Sequence, residues 1–272
     1  MSYIPILARV DSLPPLPESV ILLEKLFSHG DPDIDDLVKI ITFDPLLTAD
    51  ILAKVNAPYY GFSKKIVSVL QAVTLFGSTQ IRAIILSSSI QKHFDIDLSP
   101  YAITTSDFSK ISTMQSELIF QWYMVINIDM AREITPIAFL MEIGKILLAK
   151  DIIQKDKKDA FLKDLENYED IAHLESIYSM MSTAEVSALI FQQLNLNDNF
   201  SESMRYLNNE KEIPEAIKET VFALQVVRKA INIKEQLTEN SIANALDFLT
   251  ENSYNTKIFK RVAQRLQRRY LA

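Results

Sequence analysis

Residues 137–148 read IAFLMEIGKILL. The stretch is apolar on every side, which is typical of a buried central helix rather than of a surface helix. Gly144 interrupts it; it is one of four glycines in the chain and costs about 1 kcal/mol relative to alanine inside a helix. We expect a neighbouring helix to approach closely at Gly144. Glu142, if buried, needs a partner, which we expect to be Lys145 or a polar group near Gln115.

Helical patterns continue on both sides of this stretch. Alternating strand patterns bounded by Asn-Gly or Asp-Gly turns do not occur, so the predicted class is all-α. After a polar segment at 95–107, the predicted helices are long. They cover 107–127, 133–150, 155–166, 170–179, 183–194, 199–208, 214–236, 241–250 and 255–270.

The N-terminal part is predicted to contain shorter helices separated by turns. Gly30, Gly61 and Gly77 mark turns between these helices, and Gly30 and Gly77 stand at helix ends, where glycine is common. We therefore divide the chain into an N-terminal helical subdomain at 1–97, a helical bundle at 98–210, and C-terminal helices at 211–272 that pack on the bundle.

Composition excludes several classes of protein. The 272-residue chain contains no cysteine, so disulfides, thiolate zinc sites and cysteine nucleophiles are absent. Its net charge of −7 does not favour binding to nucleic acid. No apolar run approaches the roughly 20 residues of a membrane span, and the N-terminal segment lacks the pattern of a secretory signal. We expect a cytoplasmic protein.

Catalytic motifs are also missing. The scattered glycines form neither a phosphate-binding loop nor a nucleophile elbow. The three histidines, His29, His93 and His173, have no second histidine or carboxylate at metal-ligand spacing, and we interpret them as surface or helix-end residues. The residues themselves predict no metal and no cofactor.

The C-terminal segment KIFKRVAQRLQRRY is locally basic. Its apolar residues recur every four positions, and cations, including Arg265, Arg268 and Arg269, fill much of the remainder. One interpretation is a helix that binds an anion, a membrane or nucleic acid. The preferred interpretation is a terminal helix docked by its apolar stripe, because aromatic residues do not alternate with the cations.

Two stretches resemble the HDOD family, the HD-related output domains of bacterial signalling proteins. The first, residues 13–86, contains LPPLP, a DP-x-LT turn at Asp44, the segment N-x-x-YYG, and A-V-x-L-x-G before Arg82. Several motifs in one order over about seventy residues make a specific match. Its matching residues include Asn56, Tyr60, Gly61 and Gly77.

The second stretch is FLMEIGKILL, which is similar to the segment around the His-Asp doublet of HD proteins. Met141 and Glu142 stand at the doublet, while Gly144 and Lys145 match the family pattern. Gln115 stands where the upstream metal histidine is expected. The downstream segment reads STAEVS, residues 182–187, and lacks the family's histidine. The resemblance covers residues 10–210 and implies an HD-like helical fold with replaced metal ligands, because methionine and glutamine are poor ligands for hard divalent ions.

The resemblance implies a non-catalytic regulatory module of bacterial signalling, linked to motility or stress. It would act through a signalling protein partner or a small ligand. One alternative is a cryptic metal-dependent phosphohydrolase with unusual ligands. Another is a nucleic-acid-binding protein that uses the basic C-terminal helix.

Overall fold

The computed structural model describes residues 5–208 and 212–271, which form α-helices joined by short connections. The all-α class is therefore confirmed. Among the described residues, β-type pairing is limited to an isolated bridge between Ile231 and Gln236. The helices are α1 (Ile6–Asp11), α2 (Glu18–Phe27), α3 (Ile34–Phe43), α4 (Pro45–Val55), α5 (Val69–Phe76), α6 (Ser78–Gln91), α7 (Thr105–Tyr123), α8 (Ile128–Leu140), α9 (Gly144–Gln154), α10 (Lys158–Asn167), α11 (Ile171–Ser179), α12 (Thr183–Gln193), α13 (Asp198–Tyr206), α14 (Glu215–Ala230), α15 (Glu239–Glu251) and α16 (Thr256–Leu271).

The chain divides into two compact units. Pro15–His93 form the inserted unit, and the residues up to Pro14 together with those from Phe94 onward form the bundle unit. Helix α1 thus belongs to the bundle unit, whereas the sequence-based division placed it with residues 1–97. It packs against α9 and α12, and Arg9 donates a hydrogen bond to Gln154. The predicted boundary between 210 and 211 falls outside the described residues.

The inserted unit is built from α2 to α6. Asp44 caps α4 by accepting hydrogen bonds from the backbone amides of Leu46 and Leu47, both at 3.0 Å, which satisfies amides left free at a helix start. Because Pro45 occupies the first position of α4, where its missing N–H is harmless, the helix start is well defined.

The bundle unit has its core around the α7–α8 hairpin. Its single tryptophan, Trp122, is 1% exposed and packs edge-on against Phe259 of α16 at 5.0 Å. Helix α14 contacts both α7 and α8. These contacts bring the middle of α7, including Gln115, into the interior.

The predicted helices at 133–150 and 214–236 differ most from the structure. Residues 133–150 form two helices, because α8 ends at Leu140 and α9 begins at Gly144. In the second case, α14 ends at Ala230 rather than continuing to 236. There the side chain of Asn232 accepts hydrogen bonds from the amides of Lys234 and Glu235 at 2.9 and 3.0 Å, a local turn that competes with helix formation.

No single helix in the described ranges has the length and apolarity needed to cross a membrane. Helices Val69–Phe76 and Ser78–Gln91, bent by 115° at their junction, meet these criteria of length and composition only when taken together.

Candidate functional site

The corner between α8 and α9 is held by the side chain of Ser187 from α12. Its hydroxyl accepts a hydrogen bond from the amide of Gly144 at 2.9 Å and donates one to the carbonyl of Met141 at 3.1 Å. These bonds replace the ones that a continuous helix would make within itself. The apolar stretch around Glu142 is therefore a helical corner, and a side chain distant in sequence fixes its shape.

Gly144 is required by the close approach of α12. A Cβ atom at this position would lie 2.4 Å from the carbonyl oxygen of Thr183 and 2.9 Å from the amide nitrogen of Ser187. Both are backbone atoms, which cannot move aside as a flexible side chain can. The start of α9 thus contacts the first turn of α12 backbone to backbone, and this contact sets Lys145 beside Thr183.

Lys145 lies between two buried carboxylates. Its ammonium nitrogen is 3.1 Å from Glu142 and 2.7 Å from Glu175, and it donates a hydrogen bond to the hydroxyl of Thr183 at 3.0 Å. Glu142, Lys145 and Glu175 are 3%, 4% and 1% exposed. We call these three residues the buried charge cluster. It contains two carboxylates and one ammonium group in a region closed to solvent.

The carboxylate of Glu175 also caps the start of α12. It accepts hydrogen bonds from the amide and the hydroxyl of Thr183 at 2.6 and 2.7 Å, and from the hydroxyl of Tyr101 at 3.0 Å. Hydrogen bonds from an amide at a helix N-terminus stabilise a negative charge. Glu175 therefore joins α11, α12 and the segment before α7 to the cluster.

Mutual attraction favours the charged forms of Glu142 and Lys145. Burial raises the pKa of Glu142, but the attraction of Lys145 and Arg228 and the hydrogen bonds from Lys145 and Gln115 outweigh burial, so its pKa is lowered. Burial likewise lowers the pKa of Lys145, but Glu142 and Glu175 raise it above the ordinary value. Burial and the charge of Glu175 raise the pKa of the Tyr101 hydroxyl.

Gln115 of α7 reaches the same cluster from another side. It is fully buried, donates to the carbonyl of Ile231 at 3.0 Å, and contributes a hydrogen bond that lowers the pKa of Glu142. Its side-chain oxygen has no hydrogen-bond partner among the described residues. The structure therefore brings together Gln115, Glu142 and Lys145, while Met141 is buried and meets Ser187 through its backbone carbonyl.

Histidine takes no part in this cluster. His29 bonds the carbonyl of Lys25 at 2.8 Å at the end of α2. The ring of His173 lies 6.4 Å from that of Tyr168, and His93 is exposed after α6. Within the described ranges, three or more His, Cys, Asp or Glu side chains nowhere converge in a metal-binding arrangement.

The motif residues of the inserted unit hold its turns. Asn56 donates to the carbonyls of Leu52 and Ile66 at 2.7 and 2.8 Å and accepts from the amide of Ile66 at 2.8 Å. Gly61 and Gly77 have φ values of 67° and 79°, which favour glycine. The ring of Tyr60 packs edge-on against that of Phe76 at 4.7 Å. In the structure, these residues serve local packing.

The cations proposed to bind anions lie on α16. Arg269 forms an ion pair with Glu117 at 2.5 Å, and Arg265 donates to Gln121, so both are engaged with α7. Arg268 is exposed and donates to the carbonyl of Gln264 in its own helix at 3.3 Å. The three residues thus do not converge on a common site.

A polar cleft of about 310 Å³ opens beside the helices that carry Glu175 and Thr183. It lies among α11, α12 and α13, and its lining includes His173, Ser176, Ser182, Glu185 and Arg205. Ser176 adjoins Glu175 in sequence, and Ser182 adjoins Thr183. A molecule bound in the cleft would therefore touch the segments that carry Glu175 and its hydrogen-bond partner.

The sequence did not single out Glu175 or Tyr101 as site residues. Each lies in an ordinary helical or turn segment, and each reaches Lys145 only through the tertiary fold. The STAEVS segment, which aligns with the downstream motif of the HDOD family, contributes Thr183 and Ser187 to the site. The available signal was Lys145 three residues after Glu142 in an apolar stretch, because buried charges need partners.

The model of the HDOD domain family matches residues 13–210. Among curated proteins, an uncharacterized protein from Treponema pallidum (strain Nichols) is 27% identical over 79 residues, 29% of this chain; the chain spans 15% of that protein's length.

Three solved structures share the fold. A virulence factor from Campylobacter jejuni subsp. jejuni is 26% identical, with 97% of this chain and 93% of that chain covered and a TM-score of 0.57. An HDOD domain protein of unknown function from Geobacter sulfurreducens is 14% identical, with coverage of 98% of each chain and a TM-score of 0.61. A protein from Marinobacter aquaeolei VT8, provisionally assigned to signal transduction, is 16% identical, with 96% of this chain and 58% of that chain covered and a TM-score of 0.70. The helical fold expected from the sequence is that of these structures.

Proposed function

Because this chain belongs to the HDOD domain family, we propose that it is a non-catalytic regulatory module of bacterial signalling that acts by binding a protein partner or a small ligand. The observation that carries the proposal is the pairing of Glu142 with Lys145 at 3.1 Å. A carboxylate that could bind a metal is bonded to an ammonium group of the chain itself.

The donor set supports a role without catalysis. Hydrolysis of phosphate esters in metal-dependent enzymes needs imidazoles and carboxylates that converge on a divalent ion. Here Glu142 interacts with the ammonium group of Lys145 and the amide of Gln115, and Met141 offers a thioether that suits hard ions poorly. These residues do not fit a catalytic divalent metal.

The descriptions of two similar proteins support a role in bacterial signalling. The C. jejuni relative is described as a virulence factor, and the M. aquaeolei protein is provisionally assigned to signal transduction. We propose a role in a bacterial response such as motility or stress, in the cytoplasm. The cleft lined by Ser176 and Ser182 is a candidate place for a small ligand, because these two residues adjoin Glu175 and Thr183 in sequence.

The first experiment tests for catalysis. The full chain, purified without chelator, is analysed for transition metals and assayed for phosphodiesterase activity with added Mn²⁺. We expect the metal content to stay well below one ion per chain. We also expect the wild type to show no more hydrolysis than the Glu142→Gln variant. A stoichiometric metal, together with hydrolysis that Glu142→Gln abolishes, would establish the phosphohydrolase alternative instead.

The second experiment tests for binding. The tagged full chain is crosslinked in its native cell and captured, and the same purified chain is examined by native mass spectrometry for a co-purified small molecule. We expect one protein or one ligand to be enriched above a tagged control of unrelated fold. If neither is found, the binding role fails, whatever the result for catalysis.

A further inference from the structure

The turn between α7 and α8 exposes a short aliphatic surface. Met124, Val125, Ile126 and Ile128 are 48%, 65%, 50% and 40% exposed, and we call these four residues the aliphatic tip. Single exposed apolar residues are normal on protein surfaces, whereas a contiguous group marks a binding surface more often. The tip lies at the end of the longest hairpin of the bundle unit.

The tip has a fixed shape. The amides of Ile126 and Asn127 donate to the carbonyl of Tyr123 at 2.9 and 2.7 Å. The side chain of Asn127 then caps α8 by accepting from the amides of Asp129 and Met130 at 3.1 and 3.2 Å. The exposure of the aliphatic side chains is therefore a property of an ordered turn rather than of a frayed end.

Exposed cations lie on the helix that packs against the end of α7. Trp122 precedes it by two residues and packs on Phe259 at 5.0 Å, which brings the start of α16 to this end of the hairpin. Lys257, Lys260 and Arg261 are exposed there. None of the three forms an ion pair with another described residue, so their charges are available to a partner.

Two carboxylates at this end form ion pairs. Asp129 lies 3.4 Å from Arg132, and Glu215 lies 3.6 Å from Lys218. Glu219 accepts a hydrogen bond from Tyr123 at 3.3 Å. Two nearby carboxylates, Glu219 and the exposed Glu251 at the end of α15, have no cation paired with them among the described residues. The three unpaired cations of α16 outnumber them, although the whole chain has a net charge of −7.

We propose that the aliphatic tip and the first turns of α16 bind the surface of an anionic lipid bilayer. Aliphatic residues flanked by lysine and arginine match the boundary between acyl chains and anionic headgroups. Tyr254, 39% exposed in the segment before α16, adds an aromatic residue of the kind found at that boundary. The core of a protein interface would instead favour aromatic residues at the tip and disfavour lysine. This surface is separate from the buried charge cluster, so the inference goes beyond the proposed function.

Vesicle binding by the full chain tests the inference. At low salt, we expect the chain to sediment with vesicles of phosphatidylglycerol and phosphatidylethanolamine but not with phosphatidylcholine vesicles, and added salt should weaken binding. The double variant Val125→Glu/Ile126→Glu and the triple variant Lys257→Glu/Lys260→Glu/Arg261→Glu should each lower the affinity by more than about tenfold. Brominated lipids should quench the fluorescence of Trp122, the single tryptophan, in the wild type only.

A matched variant controls for general loss of apolar surface. Ile177 and Met180 are 53% and 86% exposed on and just after α11, which packs against α9, α10 and α12; Ile177→Glu/Met180→Glu should bind vesicles like the wild type. Absence of wild-type binding at low salt, or unchanged binding by the tip variant, would overturn the inference. So would a dimer without vesicle binding that dissociates in the tip variant, because the tip would then contact a second copy.

Discussion

The ammonium nitrogen of Lys145 lies 2.7 Å from a carboxylate oxygen of Glu175, 30 residues further along the chain. The same nitrogen lies 3.1 Å from Glu142 in the adjoining turn. One side chain of α9 thus connects the α8–α9 corner to α11 and to the capped start of α12. Because all three charged groups are buried, the stability of this region depends on their being present together.

Replacement of the lysine should destabilise the bundle unit strongly. Lys145→Met leaves two buried carboxylates without their cation, and we expect a loss of about 3–5 kcal/mol in the free energy of unfolding. Urea unfolding followed by circular dichroism measures this. The exposed lysine of α10 gives a matched control, since Lys163→Met should change the free energy by less than about 0.5 kcal/mol.

Removal of all three charges separates the pairing from simple packing. The triple variant Glu142→Gln/Lys145→Met/Glu175→Gln contains no uncompensated buried charge, and it should recover part of the stability that Lys145→Met loses. If the triple variant is less stable than Lys145→Met, the charges are not the reason for the loss.

The charge cluster should make stability depend on pH at the acid end. The pKa of Glu142 is lowered from 4.5, so its contribution is complete above that value and is lost as the pH falls through the lower, folded-state pKa. The pKa of Lys145 is raised from 10.5, so its contribution is complete below 10.5 and is lost only at higher pH. The difference in unfolding free energy between wild type and Glu142→Gln should be constant near neutral pH and shrink below pH 4.5. Unfolding titrations over this range measure it; a difference that persists in acid would contradict the assignment of charge to Glu142.

A methyl group at Gly144 should disturb the contact of α9 with α12. Since the added Cβ would lie 2.4 Å from the carbonyl oxygen of Thr183, Gly144→Ala should cost about 2 kcal/mol or more. Gly30→Ala is the comparison, because Gly30 has open space around it and a φ of 112°, and only backbone strain of about 1 kcal/mol is expected there. Equal losses in thermal unfolding would argue against the close contact.

The hydrogen bonds of Asn56 should control the stability of the inserted unit. Asn56→Asp replaces a donor to two carbonyls with a carboxylate oxygen, so hydrogen exchange should accelerate in peptides of α4 and α5 and change little in α9. Asn167→Asp is the matched control: Asn167 is exposed and donates to a single carbonyl, that of Lys163, at 3.2 Å. If hydrogen exchange accelerates equally in both variants, the hydrogen bonds of Asn56 do not control the stability of the inserted unit.

Local patterns predicted much of this structure. The helical class, the turn glycines and the proximity of Lys145 to Glu142 follow from spacing of a few residues. Lys145 follows Glu142 by three positions, and its amide donates to the carbonyl of Glu142 at 3.0 Å in the turn between α8 and α9. The expected close approach at Gly144 also followed from one local anomaly, a glycine in an apolar stretch.

Contacts distant in sequence were not predictable in the same way. The break between α8 and α9 depends on Ser187, and the second carboxylate of the cluster comes from Glu175; neither position has a pattern of its own that points to Lys145. Apolarity indicates that a segment is buried, but it does not indicate whether the segment is straight. The packing of α1 against the bundle unit depends in the same way on partners in α9 and α12.

The position of α1 has a consequence for synthesis on the ribosome. Ile6 and Val10 of α1 are buried against helices that are translated more than a hundred residues later, whereas every helix of the inserted unit is complete by His93. At typical translation rates, the ribosome completes α12 on the order of ten to thirty seconds after it completes α1. The inserted unit can therefore be complete before the buried face of α1 has the helices that cover it.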